Sequence, residues 1–127
     1  MIDKNAKNAL IEAARAAREN AYAPYSKYKV GAALLAKSGK VYVGCNFENA
    51  SFGAGTCAER VALGAAIAAG EREFVAIACV GGDGVTPCGI CRQAMSEFGD
   101  IDVYCADGRG DVREYRLAEL LPHGFEM

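Results

Sequence analysis

Histidine is all but missing from this chain: His123 is the only one among 127 residues. One imidazole cannot complete a histidine-based metal site. No acidic partner stands beside it in sequence, so a Ser-His-Asp scheme is set aside and His123 reads as a tail residue. Also missing is any apolar run long enough to span a bilayer. The opening residues Met1-Ile2-Asp3-Lys4-Asn5 lack the charged-then-apolar layout of a secretion signal, so a cytoplasmic protein that meets no membrane is expected. There is no excess of positive charge either: 14 Lys and Arg stand against 16 Asp and Glu, for a net charge of −2. The basic residues are scattered rather than gathered in a stripe. Binding to a polyphosphate backbone therefore gains little support, and a small, weakly charged substrate fits better than nucleic acid. No repeat, linker or low-complexity segment interrupts the chain.

What remains is a globular composition, 52% hydrophobic and 24% charged, at a length that suits one domain with one core over residues 1–127. Six cysteines are present. In a secreted chain an even count would suggest disulfides; here reduced thiols are expected. Cys45, Cys79 and Cys105 lie inside apolar, strand-like runs and read as buried small hydrophobes. Cys57, Cys88 and Cys91 lie at loop-to-helix junctions among Gly, Pro and Thr, where chemistry is the better explanation.

Periodicity predicts a helix over Asp3–Tyr22, capped by Asp3, with Ala6, Ala9, Leu10, Ala13, Ala14, Ala17 and Ala21 as its apolar stripe and Pro24 as its limit. Strands follow at Tyr28–Leu35 and Val41–Asn46, joined at Ser38-Gly39. Glu48–Gly55 reads as a loop. A second helix is predicted at Thr56–Ala69, stopped by Gly70. Phe74–Val80 is a continuous apolar run of strand length, suited to the centre of a sheet. A third helix is predicted at Cys88–Phe98, then strands at Ile101–Ala106 and Val112–Arg116, a helical turn at Leu117–Leu121 and a tail from Pro122. The order αββαβαββ implies an α/β fold, a mixed five-stranded sheet covered by helices in three α-β-α layers.

The cysteines carry the functional signal. Cys88-x-x-Cys91 has the spacing of the commonest two-ligand zinc module, though a redox pair reads the same way. Cys57, with Glu59 two residues on, makes the set more specific: three thiolates can hold zinc and leave a fourth position open, and a carboxylate beside it can move protons. Three thiolates around Zn²⁺ leave a net charge of about −1. Two helix N-termini can offset it, and Arg60 can add a full positive charge against the sulfurs; otherwise Arg60 is a solvated helix charge. Thr56-x-x-Glu59 also reads as a capping box, which would place Glu59 beside Cys57.

Several segments together resemble the small, homotetrameric type of cytidine deaminase: Ala21-Tyr22-Ala23-Pro24-Tyr25-Ser26, Val30–Leu34, Gly44–Ser51, Cys57-Ala58-Glu59-Arg60, Pro87–Gln93 and Glu119–Pro122. The likeness runs nearly end to end. It implies hydrolysis of cytidine and deoxycytidine to uridine and deoxyuridine with release of ammonia, as part of pyrimidine salvage. It implies one zinc ion per subunit on Cys57, Cys88 and Cys91, with Glu59 as the catalytic proton carrier. It implies that the Ala58 N–H binds the base carbonyl and that the Thr86 carbonyl faces the amine. Asn46 and Glu48 match the ribose-binding pair; as residues alone they are equally polar loop positions. Tyr28 matches an aromatic near the base. Phe125 matches a tail aromatic that serves a neighbouring subunit, so the expected state is a homotetramer with shared sites. Phe52 stands where many relatives have a tyrosine near the sugar. That departure leaves another aminopyrimidine nucleoside, such as a blasticidin-type antibiotic, open as a substrate. A non-enzymatic zinc site of four cysteines, with Cys45, Cys79 or Cys105 as the fourth ligand, is the remaining alternative.

Overall fold

The carboxylate of Asp3 accepts a hydrogen bond from the Ala6 N–H at 2.8 Å and opens the first helix, α1 (Lys4–Arg18). In the computed structural model, which describes residues 2–127, this cap is as the sequence predicts. The end is not. The helix stops four residues before the predicted Tyr22, because the chain is drawn off by a partner far along the sequence. The Tyr22 N–H donates to the Asn46 carbonyl, and the Glu48 N–H donates to the Tyr22 carbonyl. This short parallel bridge between Tyr22 and Phe47, not Pro24, ends α1. Its buried face is Leu10, Ile11, Ala14 and Ala17; Ile11 takes the place expected of Ala9, which is exposed.

The strands are β1 (Gly31–Ala36), β2 (Val41–Cys45), β3 (Phe74–Val80), β4 (Asp102–Ala106) and β5 (Val112–Arg116). They form one five-stranded sheet in the order β2-β1-β3-β4-β5. Only β3 and β4 run parallel; the other neighbours are antiparallel, so the sheet is mixed as expected. β1 starts three residues later than predicted. Residues 28–30 are held instead by the Asn46 side chain, and Lys27 just before them has a positive φ of 61°.

The remaining helices are α2 (Ala58–Ala68), α3 (Gly89–Ser96) and α4 (Leu117–Leu120), with a single 3₁₀ turn at Phe52–Ala54 inside the segment read as a loop. Gly70 ends α2 at a φ of +96°. Its N–H bonds to the Ile67 carbonyl and the Glu71 N–H to the Ala66 carbonyl, the paired bonds of a Schellman cap.

Side chains alternate across the sheet. One face, Ala33, Ala76, Ala78, Val80, Tyr104 and Ala106, packs on Leu10, Ile11 and Ala14 of α1. The other, Ala32, Leu34, Ile77, Cys79, Val103 and Cys105, packs under α2, α3 and Leu117. Helices on both faces make the three layers. Cys79 and Cys105 are buried as expected, whereas Cys45, at the end of β2, is only half-buried.

Backbones meet at two glycines. A Cβ on Gly31 would run into the Ala14 carbonyl oxygen, and a Cβ on Gly44 would stand 2.5 Å from both the Ala58 carbonyl oxygen and the Ala62 nitrogen. Gly44 thus lets the first turn of α2, where the predicted chemistry lies, rest directly on β2.

Candidate active site

Cys57 and Cys88 occupy equivalent places at the starts of two helices. Each is the N-cap residue, extended in backbone, of α2 and α3 respectively, and neither helix start has a side-chain cap. The first N–H groups of both helices are therefore turned toward the sulfurs' neighbourhood, where their partial positive charge favours thiolate. Cys91, one turn into α3, completes the group. The Cys57 and Cys88 sulfurs are 3.7 Å apart and the Cys88 and Cys91 sulfurs 3.6 Å apart. All three lie within 4.8 Å of one another. Sulfurs bound to one tetrahedral zinc at the usual bond length stand about 3.8 Å apart, so the cluster fits the ion. Cys91 is buried, Cys57 half-buried and Cys88 exposed, so the group opens to solvent at Cys88. Among the described residues no fourth sulfur, imidazole or carboxylate joins the group. The four-cysteine alternative thus has no fourth ligand, and the fourth position is left for something other than a side chain.

Arg60 lies against these sulfurs. Its Nη2 is 3.5 Å from Cys57 Sγ, and its Nε is buried with no hydrogen-bond partner among the described residues. A hydrogen bond from the Cys91 thiol, then Arg60, pull the Cys57 thiol down to about 5. The Cys91 thiol is pushed up because it gives that hydrogen bond and is itself buried. A divalent cation would bind both as thiolates.

Glu59 is 5% exposed. Burial is the main cause that raises its carboxyl above the ordinary carboxylate range; its own backbone N–H and the Cys79 thiol work in the opposite direction. The capping box is absent. Cys57 rather than Thr56 is the N-cap, which makes Glu59 the second residue of α2 instead of the third. Thr56 is engaged elsewhere, in an antiparallel bridge with Phe47. Glu59 is held by packing in place of capping.

Asn46 and Glu48 do not converge on open space; they grip the segment between α1 and β1. Asn46 Nδ2 donates to the Tyr28 carbonyl and Asn46 Oδ1 accepts from the Val30 N–H, both at 2.9 Å. Glu48 Oε1 accepts from the N–H groups of Tyr25 and Ser26, at 2.9 and 3.0 Å, and Oε2 accepts from the Ser26 hydroxyl. That hydroxyl, followed by the Ser26 N–H, holds the Glu48 carboxyl below its usual range. Each side chain keeps unused capacity, one N–H on Asn46 and lone pairs on Glu48. A surface cavity of about 420 Å³ is lined by Tyr25, Ser26, Glu48, Asn49 and Phe52. Phe52 is 84% exposed and meets the Tyr25 ring edge-on at 6.3 Å.

The Tyr28 hydroxyl donates to the Asp83 carboxylate. The Ala58 N–H, at the first position of α2, has no carbonyl one turn back in its own helix to bind. Thr86 is fixed by Arg92, whose Nη2 donates to Thr86 Oγ1 and whose Nε donates to the Pro87 carbonyl, each at 2.7 Å. Phe125 is 71% exposed and lies on a groove with none of the three thiols in its lining. The fold thus gathers Cys57, Cys88, Cys91, Glu59 and Arg60, and leaves Phe52 and Phe125 projecting from the surface. Sequence reasoning gave no individual role to Ser26, Asp83, Arg92 or Gln93; Ser26, Arg92 and Gln93 were visible only as members of the segments that carry the resemblance.

The chain is similar to known proteins over nearly its whole length. The sequence pattern described as "Cytidine and deoxycytidylate deaminase zinc-binding region" matches residues 4–107. A cytidine deaminase from Halalkalibacterium halodurans is 51% identical over 120 residues, covering 91% of each chain. The crystal structure of cytidine deaminase from Burkholderia pseudomallei superposes with a TM-score of 0.89 at 55% identity, covering 93% of this chain and 98% of that one. The structure from Mycobacterium tuberculosis gives a TM-score of 0.84 at 38% identity and covers all of both chains. Extensive sequence identity and a shared fold place the chain in the cytidine and deoxycytidylate deaminase family.

Proposed function

We propose that this chain is a zinc enzyme that hydrolyses cytidine and deoxycytidine to uridine and deoxyuridine, releasing ammonia. The observation that carries the reading is the group of three thiols at two helix starts, with a buried carboxylate, Glu59, two residues from one of them. Cys57, Cys88 and Cys91 would hold the ion, and zinc so held supplies Lewis-acid activation of water at neutral pH.

The chain's own groups do the rest. Glu59 takes a proton from the attacking water and passes it to N3 of the base, then takes the proton of the hydroxyl so formed at C4 and passes it to the departing amine, acting as base and acid in turn. Its raised carboxyl suits both halves, because a proton held too weakly would never reach the amine. The Ala58 N–H binds the base carbonyl. The Thr86 carbonyl, fixed through Arg92, faces the amine. Tyr28 packs near the base, and the spare N–H of Asn46 and lone pairs of Glu48 hold the ribose hydroxyl. Arg60 keeps the thiolates charged.

The exposure of Phe125 supports a homotetramer in which this ring enters the site of a neighbouring subunit, while Phe52 stands near the sugar. The whole of residues 1–127 acts as one catalytic domain, in the cytoplasm and in pyrimidine salvage, with a free nucleoside as partner and neither nucleic acid nor membrane. The test is deamination by protein of measured zinc content, with cytidine, deoxycytidine and a blasticidin-type nucleoside side by side. Turnover of cytidine that tracks zinc content is expected. Inactivity of fully zinc-loaded protein on cytidine and deoxycytidine would overturn the reading, and activity on the antibiotic alone would move the substrate.

A further inference from the structure

The C-terminal tail is not loose. Arg92 Nη1 donates to the Leu120 carbonyl at 2.8 Å and so fixes the point where the tail leaves α4. Five residues later, the carboxamide of Gln93 closes on the backbone of Phe125 from both sides. Gln93 Nε2 donates to the Phe125 carbonyl at 2.9 Å, and Gln93 Oε1 accepts from the Phe125 N–H at 3.0 Å. A side-chain amide has one donor edge and one acceptor edge, and this pairing uses both on a single residue, as a neighbouring strand would. Between the anchors the chain lies close against itself. A Cβ on Gly124 would stand 2.7 Å from Leu121 Cδ2, so the Leu121 side chain packs closely under the tail at this point.

We propose that Gln93 is a positioning residue for the deamination reaction: its clasp on the Phe125 backbone sets where the exposed Phe125 ring stands, and through that ring it tunes nucleoside binding in a neighbouring subunit. The inference rests on the proposed reading that Phe125 serves a neighbour's site. Gln93 belongs to the same helix as two of the three thiols, Cys88 as its cap and Cys91 within it. The helix that carries a subunit's own metal ligands thus also aims the ring that the subunit lends. Gln93 touches no reacting atom; its effect belongs in KM, not in kcat.

The test uses zinc-loaded protein and four variants: Gln93→Leu, Gln93→Glu, Phe125→Ala and the Gln93→Leu/Phe125→Ala pair. Loss of both hydrogen bonds in Gln93→Leu is expected to raise KM for cytidine about tenfold, with kcat within about threefold and zinc content unchanged. Gln93→Glu keeps the acceptor edge and should fall between Gln93→Leu and the parent. The pair should be no worse than Phe125→Ala alone, because a clasp has nothing to position once the ring is gone. Gln93→Glu, which keeps the length and polarity of the side chain, also covers the case in which Gln93→Leu folds poorly. An unchanged KM in Gln93→Leu beside a raised one in Phe125→Ala would overturn the role of Gln93, as would penalties that add in the pair. An unchanged KM in Phe125→Ala would instead overturn the reading of Phe125 itself. Co-assembly of Gln93→Leu subunits with Glu59→Gln subunits separates cis from trans. Recovery of a low KM supports lending between subunits, and no recovery overturns it.

Discussion

Removing Arg60 would take a guanidinium away from a sulfur 3.5 Å distant. With its pKa held near 5, Cys57 contributes stability as a thiolate that is complete above the ordinary thiol range and lost as pH falls through about 5. In metal-free Arg60→Ala that window moves to higher pH. Alkylation of Cys57 at pH 6 should slow about tenfold, and zinc should dissociate on acidification at a higher pH than in the parent. Parent-like alkylation and zinc release would end the charge-compensation argument. Glu59 poses a separate question. Glu59→Gln keeps size and burial but cannot accept the proton, so it should retain zinc and lose about 10³-fold or more in kcat, read by activity per bound zinc. Glu48 allows a pH prediction. Its carboxyl is depressed by Ser26, so its hold on Tyr25 and Ser26 is complete above the ordinary carboxylate range and fails only as pH falls through the lowered value. The Glu48 contribution to KM for cytidine should stay flat from neutral pH down through the ordinary carboxylate range and be lost only below it. In Ser26→Ala the loss should begin at a higher pH.

At the scale of elements, the first turn of α2 rests on β2 only because residue 44 lacks a side chain. Gly44→Ala should cost about 1–3 kcal/mol by urea unfolding and reduce zinc retention, while Gly53→Ala, with nothing within 4 Å of its added carbon, should cost almost none. Elements with local causes were readable in the sequence. Asp3 at the start of α1 and Gly70 at the end of α2 act through bonds within a few residues. So were the three thiols, since their residue types and neighbours already imply helix starts. What was misread has distant causes. α1 ends early because Asn46 and Glu48 capture Tyr22, and β1 starts late because Asn46 binds residues 28 and 30. The expected capping box failed by one residue of helix register, which no local pattern distinguishes. The clasp of Gln93 on Phe125 spans 32 residues and could be seen only once α3 and the tail were placed side by side.

For the molecule as a whole, the thiols bring together the starts of two helices that cover the same face of the sheet. α2 packs on the β1–β2 side of the sheet, α3 leads on toward α4, and the sulfurs of Cys57 and Cys88 stand where the two helix starts face each other. Zinc bound by the folded state alone adds its binding energy to folding. Chelation should therefore lower the unfolding midpoint by about 10 °C or more, measured by calorimetry with and without zinc. An unmoved midpoint would mean that the helices hold together without the ion. The uncapped starts at Cys57 and Cys88 also bear on how long the protein lasts in a cell. When zinc is scarce, newly made copies would have two helix starts that no ion ties together, and the adjoining chain at residues 52–57 and 84–88 would be the part a protease reaches first. Abundance would then follow the zinc supply, and copies that cannot react would be cleared before they crowd out those that can.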